Sequence, residues 1–400
     1  MLKKKHLFIP LGILIFMTLG TIYSWSVFRK PLQIALNLNA TESGLPYTIF
    51  LMCYALAMPV AGSFLDKIGP RLTMIFGGIL VGIAWLLSSF ATSIGFLIFT
   101  YGILGGIGVG IVYGAPMSVA AKWFPNNKGL AVGATLAGFG LSPFVTAPLA
   151  SNLIEKFGVF STFKILGIAF IIINVILALP FEYPKENSDN ISKENNESKN
   201  YTLQEMLKTK EFYVLFIAYT IGTFVGLMII GISSPFAQNL LNVTPKQAAI
   251  YVSFFAIFNG VGRPLFGMFV DKLGVKISIN ISYLILLTSS IVVIITGEHS
   301  IIAYLITFAM FWLNLGGWLS IAPAATSKIF GSKNYSQNYG VMFLAYGIGA
   351  LLAGIISGVI KDTFGSYIYV FYPVIILLII GIILINLVLK EKELVKNTSL

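Results

Sequence analysis

The residue whose chemistry stands out is Arg263. It lies in Asn259-Gly-Val-Gly-Arg263-Pro-Leu-Phe-Gly-Met-Phe-Val-Asp271-Lys-Leu-Gly, within a long apolar run. Asp271 is eight residues further on, or about 12 Å along a helix at ~1.5 Å per residue. Half of a hydrocarbon core is about 15 Å, so a helix ending near Asp271 would hold Arg263 close to the bilayer midplane. A cation at that depth is costly and marks a functional site that needs an anionic partner. A guanidinium pairs with a carboxylate through two parallel N–H bonds, which an ammonium cannot do. Asn259 stands one helical turn before Arg263 on the same face, placed to orient the guanidinium or to bond a ligand. Asn314 and Trp318 form a second polar pair four residues apart at membrane depth; they either line the same path or serve packing.

The apolar runs have no other groups for acid–base or metal chemistry. None holds an Asp or Glu in its interior, Cys53 is the single cysteine, and His6 and His299 fall near predicted membrane ends. An enzyme would need buried acid–base or metal-binding residues, so no catalysis, no cofactor and no metal are expected. Gly102, Gly106, Gly110 and Gly114 form a small-residue stripe that lets helices approach closely. No strand precedes the neighbouring glycine cluster, as a nucleotide-binding turn would require.

The elements that must hold Arg263 follow from composition. Of the 400 residues, 57% are hydrophobic and 10% charged, whereas soluble domains carry about 25% charged residues. Apolar runs of about 20 residues recur from end to end, which describes a helical protein of the lipid bilayer. We place twelve spans at roughly 7–28, 44–65, 72–91, 95–120, 129–150, 160–180, 212–233, 247–270, 277–296, 301–325, 340–359 and 367–389. Lys and Arg outside the spans favour one side about threefold. That bias explains the net charge of +11 without nucleic acid, and it puts both termini in the cytoplasm. The sequence predicts residues 1–180 and 212–389 as six-helix bundles, 181–211 as a cytoplasmic linker and 390–400 as a cytoplasmic tail. Pro184 to Asn200 is polar and lacks aromatics, so it cannot bury enough surface to order itself. Thr202-Leu-Gln-Glu205 reads as a capping box opening a short surface helix.

The two halves repeat at an offset of about 205–207 residues, the kind of self-similarity that reveals fold architecture. Pro59, Gly62, Phe64, Asp66, Lys67 and Gly69 match Pro264, Gly267, Phe269, Asp271, Lys272 and Gly274. Pro116, Lys122 and Phe124 match Pro323, Lys328 and Phe330. With an even number of spans per half, the repeat is parallel, about an axis along the membrane normal. A central path between two pseudo-symmetric bundles is expected. The mate of Arg263 is Met58, so the Arg breaks the symmetry, as a ligand site can and a structural motif would not.

Gly62-Ser-Phe-Leu-Asp66-Lys67-Ile-Gly69-Pro-Arg71 resembles the loop motif of the major facilitator superfamily between helices 2 and 3. Gly267-Met-Phe-Val-Asp271-Lys272-Leu-Gly274 resembles its second-half copy. Tyr23-Ser-Trp, Gly110-Ile-Val-Tyr113-Gly, Lys122-Trp-Phe-Pro, Gly262-Arg263-Pro-Leu-Phe-Gly and Asn338-Tyr-Gly are similar to the oxalate:formate antiporter family, allied to the monocarboxylate transporters. The similarity spans nearly the whole chain outside the linker and tails.

That resemblance implies that Arg263 binds the substrate carboxylate and that Tyr23 and Tyr113 lie near the substrate. Aromatic rings with a polar end suit a small organic anion, and helix packing is the other use for them. Three departures matter. Proton-coupled relatives typically have Asp where this chain has Asn259, so a coupling proton would have to travel on the substrate. The dicarboxylate-specific branch has a Lys where alignment on Asn338-Tyr-Gly340 puts Tyr346, and Phe139 replaces a Tyr found in some relatives. One buried cation balances one carboxylate, and a second negative charge would stay uncompensated.

The expectation is a monomeric secondary transporter of the cell (inner) membrane, moving a formate-, lactate- or pyruvate-class monocarboxylate by alternating access as antiporter, symporter or uniporter. The alternatives are an oxalate:formate-type antiporter and an efflux carrier of drug-like molecules. Asp66, Lys67, Arg71, Asp271 and Lys272 are expected to form a cytoplasmic gate.

Overall fold

The computed structural model describes residues 2–124, 128–184, 200–296, 300–331 and 334–389. It contains twelve helices long and apolar enough to cross a membrane. The first half comprises α1 (Leu7–Leu36), α2 (Ala40–Gly62), α3 (Lys67–Ser88), α4 (Ile94–Trp123), α5 (Leu130–Phe157) and α6 (Val159–Ala178). The second comprises α7 (Lys210–Leu240), α8 (Pro245–Leu273), α9 (Val275–Thr296), α10 (Ile301–Phe330), α11 (Gln337–Phe364) and α12 (Tyr367–Val388). The described residues contain no strand. The protein is an all-helical, multi-pass membrane protein, as composition required.

Local chemistry draws the same turns twice. Asn37 and Asn242 both end a helix in the left-handed region at φ 52°, where the short Asn side chain is tolerated. Two residues later Asn39 caps α2 in a box with Glu42, and Thr244 caps α8 in a box with Gln247. Each box satisfies two otherwise orphaned N–H groups. Ser93 and Ser300 cap the N-termini at Ile94 and Ile301. Gly69 (φ 77°, ψ 171°), near the start of α3, and Gly274 (φ 87°, ψ 168°), between α8 and α9, interrupt the helical chain. That conformation is open to glycine and strained for other residues.

The halves meet along two main seams, α2 against α11 and α5 against α8, with α1 also touching α7. Ile176, Ile306 and Leu387 point outward and exposed, as lipid contact permits. Three helices lose regular winding: α1 tightens to a 3₁₀ turn at Gly20–Ser24, α4 widens at Ile98–Gly105, and α11 is interrupted at Phe343. Irregular turns inside long helices are often functional hinges.

Residues 185–199, about half of the predicted linker, and 390–400, the predicted tail, lie outside the described residues. The capping box forms as the sequence predicts: Thr202 accepts from Glu205 N, and Glu205 returns to Thr202 N at 2.8 Å. The helix it opens is a single turn, Leu203–Met206, anchored by the buried Met206.

One difference bears on the site. The sequence ends the first span at 28, leaving Arg29 and Lys30 beyond it, but α1 continues to Leu36 and Arg29 is 2% exposed. Arg29 is therefore a deeply buried cation like Arg263, where the sequence singles out Arg263 alone.

Candidate functional site

Asn259 and Arg263 are positioned by unusually close backbone packing of α8 on α10. A methyl built on Gly262 would come within 2.0 Å of the Leu313 carbonyl oxygen, and one on Gly316 within 2.0 Å of the Asn259 carbonyl oxygen. Only glycine fits at either place. Gly316→Ala is therefore expected to push α8 away, lowering thermal stability and abolishing transport together; unchanged stability in a melting experiment would show that the two helices do not touch there.

With α10 pressed behind it, α8 turns both polar side chains toward α5. Both meet Gly140, where a methyl would stand 2.4 Å from Asn259 Oδ1 and 3.3 Å from Arg263 Nε. Asn259 Nδ2 donates to the Trp312 carbonyl at 3.1 Å, while its Oδ1 finds no donor among the described residues. Arg263 is 3% exposed, and none of Nε, Nη1 and Nη2 has an acceptor among the described residues.

Arg29 shows what a structural buried arginine looks like in the same protein. Its Nε donates to Ser43 Oγ at 3.3 Å, its Nη1 to the Gly231 carbonyl at 3.1 Å and its Nη2 to the Ala40 carbonyl. The Tyr367 ring adds a cation–π contact, with Arg29 Cζ 5.7 Å from its centroid. Every side-chain nitrogen of Arg29 has an acceptor, and no nitrogen of the Arg263 side chain has one among the described residues. A buried guanidinium without acceptors carries an uncompensated desolvation penalty, which an anionic ligand would relieve.

An aromatic wall built from both halves reaches this place through Phe139, the neighbour of Gly140. Tyr23, in the 3₁₀ turn of α1, has its hydroxyl 2.9 Å from that of Tyr346 on α11. Tyr23 packs edge-on against Phe139 at 5.1 Å, and Phe139 against Tyr113 at 5.7 Å. Tyr54 on α2 joins Tyr113 at 5.1 Å to Phe343 at 5.4 Å and Tyr346 at 5.8 Å. The structure thus brings together Tyr23, Tyr113 and Tyr346 from the sequence-derived set. It adds Tyr54 and Phe343, which no spacing or charge signal singles out in a chain with 14% aromatic residues.

Trp318 is placed differently from the others. It packs within its own half, on Tyr219 of α7 at 5.9 Å and Tyr283 of α9 at 5.6 Å, with Gly222 against its indole. Asn314 bonds back to the Met310 carbonyl at 2.8 Å, and its Oδ1 has no donor among the described residues.

Of the expected gate residues, Arg71 meets Glu182 at 3.9 Å and Asp271 meets Lys328 at 3.0 Å. Neither pair bridges the two halves, and both are exposed, where ion pairs contribute little. Lys67 and Lys272 are exposed, and the Asp66 side chain lies outside the described set. Hydrogen bonds crossing between the halves are found elsewhere. Asp362, near the end of α11, accepts from Ala40 N at 2.9 Å, Thr41 N at 2.8 Å and Thr41 Oγ1, all at the start of α2. At the same end Tyr47 donates to the Leu227 carbonyl at 3.1 Å and Arg29 to Gly231. Ser253 donates to the Phe144 carbonyl at 2.7 Å.

Twelve spans in two repeated halves, with an unsatisfied cation between them, define a membrane transporter. The chain belongs to the major facilitator superfamily, whose family model matches residues 11–326 and again 215–399. It is 30% identical over 372 residues to the oxalate:formate antiporter of Oxalobacter formigenes, covering 91% of this chain and 87% of that one. It is 27% identical to monocarboxylate transporter 12 of Xenopus laevis, covering 79% and 73% of the two chains. Among solved structures, a bacterial homologue of the human lysosomal transporter Spinster, inward-facing and unoccupied, shares the fold with a TM-score of 0.76 at 16% identity, over 96% of each chain.

Proposed function

We propose that the protein carries a small monocarboxylate across the cell membrane by alternating access, with the substrate carboxylate bound by Arg263. The observation that carries this is the buried guanidinium with no acceptor among the described residues, set between the halves against Gly140. The names of the relatives, an oxalate:formate antiporter and a monocarboxylate transporter, support carboxylates as the substrate class.

The choice of one carboxylate over two rests on charge. Gly340 to Ile360 contains no Lys or Arg, and Tyr346 offers the site a hydroxyl. A dianion would leave one buried charge unbalanced. Asn259 cannot carry a proton, so any coupled proton would travel with the substrate. The positive-inside bias places both termini in the cytoplasm. The end held together by Asp362, Arg29 and Tyr47 is then extracellular. When this end opens, the charges Asp66, Lys67, Arg71, Asp271 and Lys272 would close the cytoplasmic end.

The test is counterflow in proteoliposomes with formate, lactate, pyruvate and oxalate as internal substrates. Exchange of monocarboxylates without oxalate supports the charge argument, and efficient oxalate exchange contradicts it. Breaking the Tyr23–Tyr346 hydroxyl pair with Tyr346→Phe removes one interaction worth about 1 kcal/mol. A several-fold rise in KM is expected in the same assay, with no loss of folded protein.

A further inference from the structure

The Asn338-Tyr-Gly stretch has a use apart from the carboxylate site. Asn338 is fully buried, and its Nδ2 donates to the main-chain carbonyl of Tyr201 at 3.1 Å. Asn334, one turn earlier on the same face, donates to that carbonyl at 2.9 Å. The Tyr201 N–H donates in turn to the Phe330 carbonyl at 2.9 Å. The Tyr201 ring stands edge-on to Phe330 at 5.8 Å, and Gly331, at φ 88°, lies against Asn200. The notch between the end of α10 and the start of α11 thus grips the backbone of Asn200 and Tyr201. The Thr202–Glu205 capping box and the buried Met206 fix the chain directly after it.

The first half holds the other end of the stretch that joins the halves, in the place equivalent by the repeat. Trp123, at the end of α4, donates from Nε1 to the Glu182 carbonyl at 2.8 Å. Lys122 Nζ lies 3.6 Å from the centroid of the Tyr183 ring, and the Ser118 and Tyr183 hydroxyls are 3.1 Å apart. Lys122 and Phe124 are the repeat mates of Lys328 and Phe330. The joining stretch is therefore docked at both ends, and on the second half the docking takes in the start of α11.

What is held there can hinge. The short helix Tyr335–Met342 ends at Phe343, where the helical pattern is interrupted before Leu344, and hinges fall at such element ends. Gly340 on this helix meets Pro59 of α2, with a built methyl 3.5 Å from the Pro59 Cβ, so the helix touches the other half. Beyond the interruption Phe343 stacks on Tyr346 at 4.9 Å, in the aromatic wall.

We infer that the notch between α10 and α11 is the docking site of the segment joining the halves, and that Asn338 is a positioning residue acting through Tyr201. The docked strap ties Tyr335–Met342 to the end of α10, so that this short helix moves with the second half as one body. Undocking the strap frees the helix to swing about Phe343, away from α2, and opens the cytoplasmic end without any change at the opposite end. The inference does not depend on the assignment of Arg263.

The experiment is maleimide labelling of the purified full chain, with Cys53 replaced by Ser and one reporter, either Met342→Cys or Ser357→Cys. Both reporter positions are buried, and Ser357 lies near the opposite end of α11. Asn338→Ala should raise the labelling rate at Met342→Cys about fivefold, the effect of one lost hydrogen bond, and leave Ser357→Cys within about twofold. Tyr201→Pro removes the N–H that bonds Phe330 and leaves α11 untouched, and it should give the same split between the reporters. Unchanged labelling at Met342→Cys overturns the inference. So does an equal rise at both reporters, which is what general loosening of the fold produces. Tyr201→Pro decides the matter if Asn338→Ala does not fold. Failure of both variants to fold would show that the contact holds the fold together rather than a hinge, and overturns the inference as well.

Discussion

Arg263→Ala is expected to lower carboxylate transport by at least about 30-fold while the protein stays folded. Removing one partner of a buried, hydrogen-bonded charge pair costs about 2–5 kcal/mol of binding, or roughly 30- to 5,000-fold. The folded state should not suffer, because no described protein group accepts from this guanidinium. Its removal takes away an unpaired buried charge, and the melting temperature of the variant should equal or exceed that of the wild type. Arg263→Lys is expected to fail as well, by about tenfold or more. An ammonium keeps the charge but cannot present two parallel N–H groups to one carboxylate. Initial uptake rates in proteoliposomes, with melting curves of the same preparations, check both variants. Transport retained in Arg263→Ala would remove Arg263 from the site, and an unfolded variant would show that it holds the structure together.

The second large effect is expected at Asp362. Its carboxylate accepts from two backbone N–H groups in the first turn of α2 and from the Thr41 hydroxyl. A carboxylate at a helix N-terminus is stabilised by unpaired N–H groups and by the helix dipole. The bond crosses from one half to the other, so it must break whenever this end opens. Arg29 and Tyr47 tie α1 and α2 to α7 beside it. Loss of charge-assisted bonds worth about 1.5–3 kcal/mol should shift the conformational equilibrium by roughly 10- to 100-fold toward the state open at this end. A single cysteine at the buried Ser357, with Cys53 replaced by Ser, reports the opening through its rate of thiol labelling. Asp362→Ala should raise that rate at least about tenfold, and an unchanged rate would mean that the contact does not control opening.

The parts of this architecture that show in the sequence are those written in local chemistry. Arg263 stands out because a cation inside an apolar run has few explanations. The repeat shows through prolines, glycines and charges at fixed offsets, and the helix caps then recur at the same offsets in the structure. Arg29 was not legible, because the acceptors that let it stay buried are carbonyls of Ala40 and Gly231, and no sequence pattern marks a carbonyl that folding brings near. Asn314 and Trp318 share a helix face by spacing, but the partners that face meets depend on packing. For Trp318 these are Tyr219 and Tyr283. The charges expected to bridge the halves are legible as charges. Whether Arg71 pairs with Glu182 or across the interface depends on conformation, which spacing does not encode.

The most direct test of Arg263 as the carboxylate site is ligand stabilisation of the purified protein, because binding to the folded state raises stability in proportion to the logarithm of ligand concentration over Kd. Melting curves of wild type and Arg263→Ala with lactate, formate, pyruvate and oxalate should show stabilisation of the wild type by monocarboxylates, none by oxalate, and none of the variant by any of them. Equal stabilisation of the Arg263→Ala variant by monocarboxylates would contradict the assignment.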